Sequence, residues 1–439
     1  MSQLRSNFGI IAEFDNRRIS IFDTDTLGVI QQIPMAADVI DVALTSDGRR
    51  AVVSSFASKT MFQIDLRKIP AQVVGSATST TNLEDVQLTP DDRFALSVDG
   101  SSTVTQNIVS YSLKKDAFVS TIPTSAQAVA VSPTGDGLVL TAEFASNKVR
   151  RFIIQHNGTL TDTGQELPAG INPNNINFSP DGNFAFVADA ANAVSVLSTV
   201  VPDQISLIST VPASGRTQSM AVSRDGRHLF VLGSRNVDIF AFDPAAGSLT
   251  LERSFSHGLG INTFFGVDQI ALDPSETRLF ISAFGQVAVF TTSGTKLGTV
   301  AGAAGSGGLA ICPLRSVHEG KKAAHMKPGN FLSQNVPGIF PGNLYGLRFY
   351  ANAQGVRNNA ALYVSVTFLD ENKNILSNPA LEVFIPAGSL PDSASGSWTG
   401  FSNATSFPAP PRVYFARIEF KTGSVGSIVN IDDVALVKA

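Results

Sequence analysis

Acidic and amide side chains stand just ahead of a short apolar phrase that recurs through the first two thirds of this 439-residue chain. Asp41 precedes Val42-Ala43-Leu44, Glu84 and Asp85 precede Val86-Gln87-Leu88, and Asn174-Asn175 precede Ile176-Asn177-Phe178. Asp268 and Gln269 precede Ile270-Ala271-Leu272, while Gln127 and Gln218-Ser219 hold the matching places ahead of Val129 and Met220. A fold that gathered these positions would bring four carboxylates and several amides together. Such a ring of oxygens could hold a hard cation such as calcium or grip a polyhydroxylated ligand. It could equally do no more than solvate the mouth of a pore. A second set of acids, Glu13, Glu143 and Asp189, follows the next strand of the phrase and returns to the same end.

Other chemistries lack their residues. The five histidines, His156, His228, His257, His318 and His325, are scattered without zinc-type spacing. No nucleophile elbow, phosphate-binding loop or dinucleotide fingerprint is present. The run Gly302-Ala303-Ala304-Gly305-Ser306-Gly307-Gly308 leads into a strand pattern and not a helix N-terminus, so the anion-binding reason for a glycine loop is missing. It reads as a loop between repeats.

The elements that must position these residues are strands. Each phrase is an apolar alternation, a Ser/Thr/Asp-Pro-Asp-Gly-like turn and a second alternation, marked by Thr45, Thr89, Ser132, Ser179, Ser223 and Asp273. Alternation with period two gives a strand with a buried face. Pro, Asp and Gly supply the turn geometry. A period near 45 residues with room for four short strands is the blade of a propeller. Leu309-Ala310-Ile311-Cys312-Pro313 repeats the innermost strand without a continuation, and Gly9 to Asp23 aligns with the continuation at Ala185 to Leu197. One blade is therefore expected to be sewn from both ends, hiding the last sheet edges. The expectation is a seven-bladed β-propeller over 1–315, a linker over 316–328 and a β-sandwich over 329–439, an all-β chain.

The phrase Phe186-Val187-Ala188-Asp189…Ala193-Val194-Ser195-Val196-Leu197 resembles the YVTN-repeat and lactonase-like seven-bladed propellers. Within that resemblance Glu143, in Ala142-Glu143-Phe144-Ala145-Ser146-Asn147, corresponds to the acidic residue of the lactonase repeat. The chain departs from the family where lactonase-like enzymes carry His-Pro in the turn, having Thr89-Pro90, Ser132-Pro133 and Ser179-Pro180 instead. Without that histidine as a base of tunable pKa, Glu143 reads as a solvated turn residue.

Beyond the repeats the composition shifts. Four of five tyrosines, Tyr345, Tyr350, Tyr363 and Tyr414, and the single tryptophan, Trp398, lie there. Alternating stretches such as Ala361 to Leu369 and Arg412 to Phe420, with Gly, Pro and Asn between them, suggest a sandwich. Trp398, Tyr345 and Phe401 could stack on sugar rings, though aromatics at strand spacing usually fill the core. Asp432 and Asp433 could hold a structural calcium. Pro341-Gly342-Asn343-Leu344-Tyr345, Leu369-Asp370-Glu371-Asn372-Lys373, Ile385-Pro386-Ala387-Gly388 and Ile431-Asp432-Asp433-Val434 resemble carbohydrate-binding-module-type jelly rolls, and more narrowly the NTTRR-F1 domains of Firmicute surface proteins. The resemblance implies docking to a polysaccharide or a surface protein.

Composition narrows the classes. A net charge of −4 without long charged runs argues against nucleic acid as a partner. The lone Cys312 can form neither an intrachain disulfide nor a cysteine metal cage. No stretch approaches the roughly 18 apolar residues of a membrane span, and Met1 to Asn7 lacks the basic head and apolar run of a signal peptide. The favoured expectation is a non-enzymatic cell- or spore-surface protein whose propeller is a platform and whose sandwich docks to glycan or protein. A cytoplasmic location is the alternative compartment. The second functional expectation is a lactonase-like hydrolase working at the channel mouth.

Overall fold

A computed structural model of the chain describes residues 8–439 except 47, 68–69, 101–105, 202, 262–268, 306, 313–323, 338, 355–359, 394–396, 424–426 and 439. Of residues 337, 433, 437 and 438 the backbone alone is described. The regular elements among the described residues are all β-strands, in two compact units, Met1–Pro313 and Leu314–Ala439.

The first unit contains seven four-stranded antiparallel sheets among its described residues. Sheet 1 joins the two ends of the unit. Its inner strand Leu309–Ile311 pairs with Phe8–Glu13, and Arg18–Asp23 and Val29–Pro34 follow outward. Sheets 2 to 7 take residues 41–78, 86–123, 126–168, 173–212, 217–256 and 270–299, each a meander. The first strand of each meander packs on the first strand of the next. Leu309–Ile311 packs on both Ile270–Leu272 of sheet 7 and Asp41–Leu44 of sheet 2, which closes the ring.

Burial explains the strand sequences. The second strands Leu138–Glu143 and Phe184–Asp189 are buried at every residue and are nearly continuous in apolar side chains. The outermost strands, such as Gln72–Thr78 and Ser206–Pro212, meet water and carry polar or small residues at alternate positions. Between sheets 5 and 6 the rings of Phe184 and Phe186 meet Phe242 edge-on, with centroids 5.0 and 4.9 Å apart. Burying each such side chain is worth about 1.5–3 kcal/mol.

The repeated turn is built by side chains. The Ser179 hydroxyl accepts the Phe184 N–H at 3.0 Å and donates to Asp181 at 2.6 Å. Ser223 accepts His228 N–H at 2.8 Å and donates to Asp225 at 2.6 Å, while Asp273 accepts Arg278 N–H at 2.7 Å. Burial pushes the Asp181 carboxyl up, but the Ser179 hydroxyl and the Asn183 N–H outweigh it and hold the group below the usual carboxylate range. The glycine run before the closing strand serves close packing. A Cβ on Gly307 would lie 1.7 Å from the Ala12 carbonyl oxygen, and one on Gly308 would lie 1.8 Å from Asp41 Oδ1.

The second unit holds two four-stranded sheets among its described residues. One has the order Ala324–Met326, Val429–Lys438, Tyr345–Ala353, Thr399–Ala404, and the other Phe331–Pro337, Phe415–Thr422, Leu362–Leu369, Leu381–Ile385. Inward residues of both, including Leu347, Phe349, Ile431, Val364, Phe368, Ile418 and Phe420, share one core. The segment 316–328, read from sequence as a linker, contains the strand Ala324–Met326, and Met326 is buried in that core. The lysines around it mask a three-residue strand whose hydrophobic anchor is a single methionine.

Candidate functional site

The meanders place the starts of their inner strands at one end of the ring, and the residues there divide by position. Counting back from the turn markers, Asp41, Asp85, Asn175, Ser219 and Gln269 fall four residues before the marker. Glu84, Gln127, Asn174 and Gln218 fall five before. Asp268, the remaining acidic candidate, lies outside the described residues.

The first group ties sheet to sheet. Asp41 Oδ2 accepts the Val86 N–H of sheet 3 at 2.8 Å, and Asp41 Oδ1 accepts its neighbour Val42 N–H and the Gln269 side-chain amide of sheet 7, each at 2.8 Å. Gln269 Oε1 in turn accepts the Leu309 N–H of sheet 1 at 2.9 Å. Asp85 Oδ2 accepts Val129 N–H of sheet 4 at 2.8 Å. An inner strand is a sheet edge, and its inward N–H groups need acceptors. These side chains supply them across sheets 7, 1, 2, 3 and 4. Burial and then the charge of Asp85 push the Asp41 carboxyl well above its ordinary value, and the pair shares a hydrogen bond. Burial also raises Asp85, and the backbone Val129 N–H and Asp41 oppose the shift. Asn175, half-buried, accepts from Asn177 Nδ2 at 3.2 Å within its own strand.

Glu84 stands apart. Its side chain accepts the Gln127 amide at 2.5 Å, and its other oxygen lies over Gly100, where a Cβ would approach within 1.6 Å. Burial, followed by the charges of Asp85, Asp99 and Asp41, raises this carboxyl well above the glutamate range.

Glu143 is not the solvated turn residue that the sequence suggests. It is 1% exposed, and Thr124 Oγ1, Thr141 Oγ1, Ser125 N–H and Ser125 Oγ all donate to it. Glu13 and Asp189 hold the equivalent place with equally local partners. Glu13 takes Arg18 at 2.7 Å and Ser20, and Asp189 takes the N–H groups of Ile171, Ala191 and Ala193. These acids fasten each loop to the strand behind it. No group of three or more His, Cys, Asp or Glu side chains placed to share a metal ion occurs among the described residues.

In the second unit two of the three candidate stacking aromatics belong to the core side. Tyr345 is buried and its hydroxyl accepts the Phe340 N–H at 2.7 Å, and Phe401 stacks on Phe349 at 4.9 Å. Trp398 is half-buried. Asp432 is buried opposite Tyr350 in register, and the Asp433 side chain lies outside the description. The sequence reading missed a different row. Phe331, Lys421, Tyr363 and Phe384 are directly opposite one another across four strands. All are exposed, with Tyr363 and Phe384 rings 4.8 Å apart. Their alternation with core residues was the available signal.

No family model matches the chain, and no curated protein matches it. Solved structures do. A functionally unknown protein from Desulfotomaculum acetoxidans is 44% identical, with 70% of this chain and 99% of that chain covered and a TM-score of 0.68. A periplasmic gluconolactonase of Pseudomonas aeruginosa is 16% identical over 70% of this chain and 99% of its own, TM-score 0.58. A 6-phosphogluconolactonase of Bacteroides fragilis, described as putative, is 14% identical over 71% and 99%, TM-score 0.55. The first unit has a lactonase-like β-propeller fold.

Proposed function

Because this chain belongs to the same family as the functionally unknown Desulfotomaculum acetoxidans protein and carries a lactonase-like fold, we propose that its propeller hydrolyses a cyclic ester of a small polyhydroxylated acid. The site is the end of the ring where the inner strands begin, and the seven sheets are its blades. The second unit is read as a jelly-roll-like module on the same chain.

The observation that carries this reading is Glu84. Asp41, Asp85 and Gln269 are committed to backbone N–H groups, whereas the Glu84 carboxyl is raised well above the glutamate range and accepts from the Gln127 side-chain amide. A buried carboxyl that retains its proton is suited to general acid catalysis. Water adds to the ester carbonyl carbon, the ring C–O bond breaks, and the departing oxygen takes the Glu84 proton. The proton lost by the water returns to the Glu84 carboxylate, so the acid is regenerated.

The test is hydrolysis of glucono-δ-lactone by the full chain, corrected for the spontaneous rate. Glu84→Gln should lower the rate by a factor on the order of 10² or more. An undiminished rate in that variant, with its melting temperature no lower than that of the unaltered chain, removes the reading.

The exposed row Phe331, Lys421, Tyr363 and Phe384 supports a second role for the other unit, docking to polysaccharide or a surface protein at a cell or spore surface. Flat aromatic faces flanked by polar side chains suit sugar rings. Co-sedimentation with insoluble cell-wall polysaccharide tests it. Tyr363→Ala with Phe384→Ala should leave the protein in the supernatant, and pelleting equal to the unaltered chain sinks the idea.

A further inference from the structure

Two buried side-chain atoms at the mouth of the ring are left without hydrogen-bond partners, Asn174 Oδ1 and Gln218 Nε2. The residues are 9% and 2% exposed. Each is the extra residue of an irregularity where the inner strand enters its sheet, between Pro173 and Asn175 in sheet 5 and between Thr217 and Ser219 in sheet 6. The two sites touch. Asn174 Nδ2 donates to the Thr217 carbonyl at 2.8 Å, the peptide unit that leads into Gln218. That bond also fixes which end of the Asn174 amide is the acceptor. A third buried atom without a partner, Arg216 Nε, lies two residues before Gln218.

Native structures leave few buried polar groups unpaired, and those that remain ask for a missing partner. The unpaired groups are one acceptor and one amide donor on adjoining sheets, with a guanidinium N–H two residues before the donor. A hydroxyl answers the first two, since it donates and accepts at once. A carboxylate or ester carbonyl oxygen answers the third. Elsewhere at the mouth the corresponding groups are spent, Gln127 on Glu84 and Gln269 on Asp41 and Leu309.

We propose that Asn174, Gln218 and Arg216 form the subsite that holds a small hydroxy acid and its cyclic ester. A ligand hydroxyl bridges Asn174 Oδ1 and Gln218 Nε2, and the carboxyl or carbonyl oxygen takes Arg216 Nε. The assignment rests on the mouth being a ligand site, as in the hydrolase reading, but not on any turnover there.

The experiment is calorimetric titration of the full chain with D-gluconate, repeated on Gln218→Met and Arg216→Met. Gln218 Nε2 makes no bond within the protein, so Gln218→Met should keep or raise the melting temperature, which separates lost binding from lost folding. Gln218→Met and Arg216→Met should each weaken gluconate at least tenfold. No gluconate binding by the unaltered chain, meaning that water alone fills the vacancy, overturns the proposal. So does equal affinity in the two methionine variants. If gluconate binds through these residues but the lactone is not turned over, the hydrolase reading fails and the subsite stands. If the lactone is turned over with KM unchanged in both methionine variants, the subsite fails and the hydrolase stands.

Discussion

Removing the Asp41 side chain should destabilise the propeller without touching the second unit. Asp41→Ala strips the acceptor from three donors, Val42 N–H, Val86 N–H and the Gln269 amide. Stranding a buried donor costs about 1–3 kcal/mol. With some water reaching the mouth, the sum is roughly 3–5 kcal/mol. For a domain of this size each kcal/mol moves the transition by about 2 °C, so the melting temperature should fall by about 6–10 °C. Asp41→Asn should cost far less. Burial and the Asp85 charge push the Asp41 carboxyl up, which favours its O–H form, and the pair shares a hydrogen bond. An amide NH2 can stand in for that O–H, and the remaining oxygen still accepts from Val42 and Gln269. Only the acceptor for Val86 N–H is lost, about 1–3 kcal/mol.

Two optical signals separate the units. Far-UV circular dichroism follows all the strands, while fluorescence follows Trp398, the single tryptophan, which lies in the second unit. Asp41→Ala should move the main dichroism transition and leave the fluorescence transition in place. A shift under about 2 °C would mean that the Asp41 bonds do not hold the ring. Equal damage from Asn and Ala would mean that the ionised form is the one required, refuting the protonation argument.

Three further outcomes follow from the same geometry. Glu84 has a folded pKa raised by burial and by three neighbouring acids, so the folded state keeps its proton after the unfolded chain has lost one near pH 4.3. Its stability contribution is full below that pH and is lost as pH rises through the folded pKa, so Glu84→Gln should gain melting temperature over the unaltered chain as pH rises above that of the unfolded carboxyl. Gly308→Ala would drive a Cβ to 1.8 Å from Asp41 Oδ1 and 2.5 Å from Asp41 Cα, and its main dichroism transition should fall at least as far as that of Asp41→Ala. Phe349→Ala removes a ring packed on Phe401 and Phe420, and should cost about 3–5 kcal/mol, read this time in the Trp398 fluorescence transition.

How far the sequence spoke depended on whether a residue's role was local. The turn phrase was readable because Ser179, Asp181 and Gly182 satisfy one another within a few residues, and local chemistry leaves a pattern. Strand alternation in Leu362–Leu369 was readable for the same reason, one face meeting the core and the other solvent. Tyr345 and Phe401 misled because both lie on the core side of a strand whose register depends on partners about 60 residues away. The glycines at 307 and 308 looked like a flexible loop, since nothing nearby in sequence tells that Ala12 and Asp41 press against them.

The mouth of the ring is the sharper case, because adjacent polar residues there do opposite things. Asp85 is tied to the edge of sheet 4, while Glu84, one position earlier, is spared that duty and keeps a proton. Asn174 spends one end of its amide on sheet 6 and leaves the other vacant. Residue type cannot distinguish these neighbours, since a carboxylate or an amide serves an edge N–H as readily as a ligand. In a closed ring of sheets every inner edge makes its own demand for acceptors and donors. A polar residue there becomes a candidate for function only after the edge N–H and C=O groups within its reach have been assigned partners. Glu84, Gln218 and the free end of Asn174 are what that assignment leaves over, and they lie on sheets 3, 5 and 6, away from the seam that Asp41 and Gln269 hold shut.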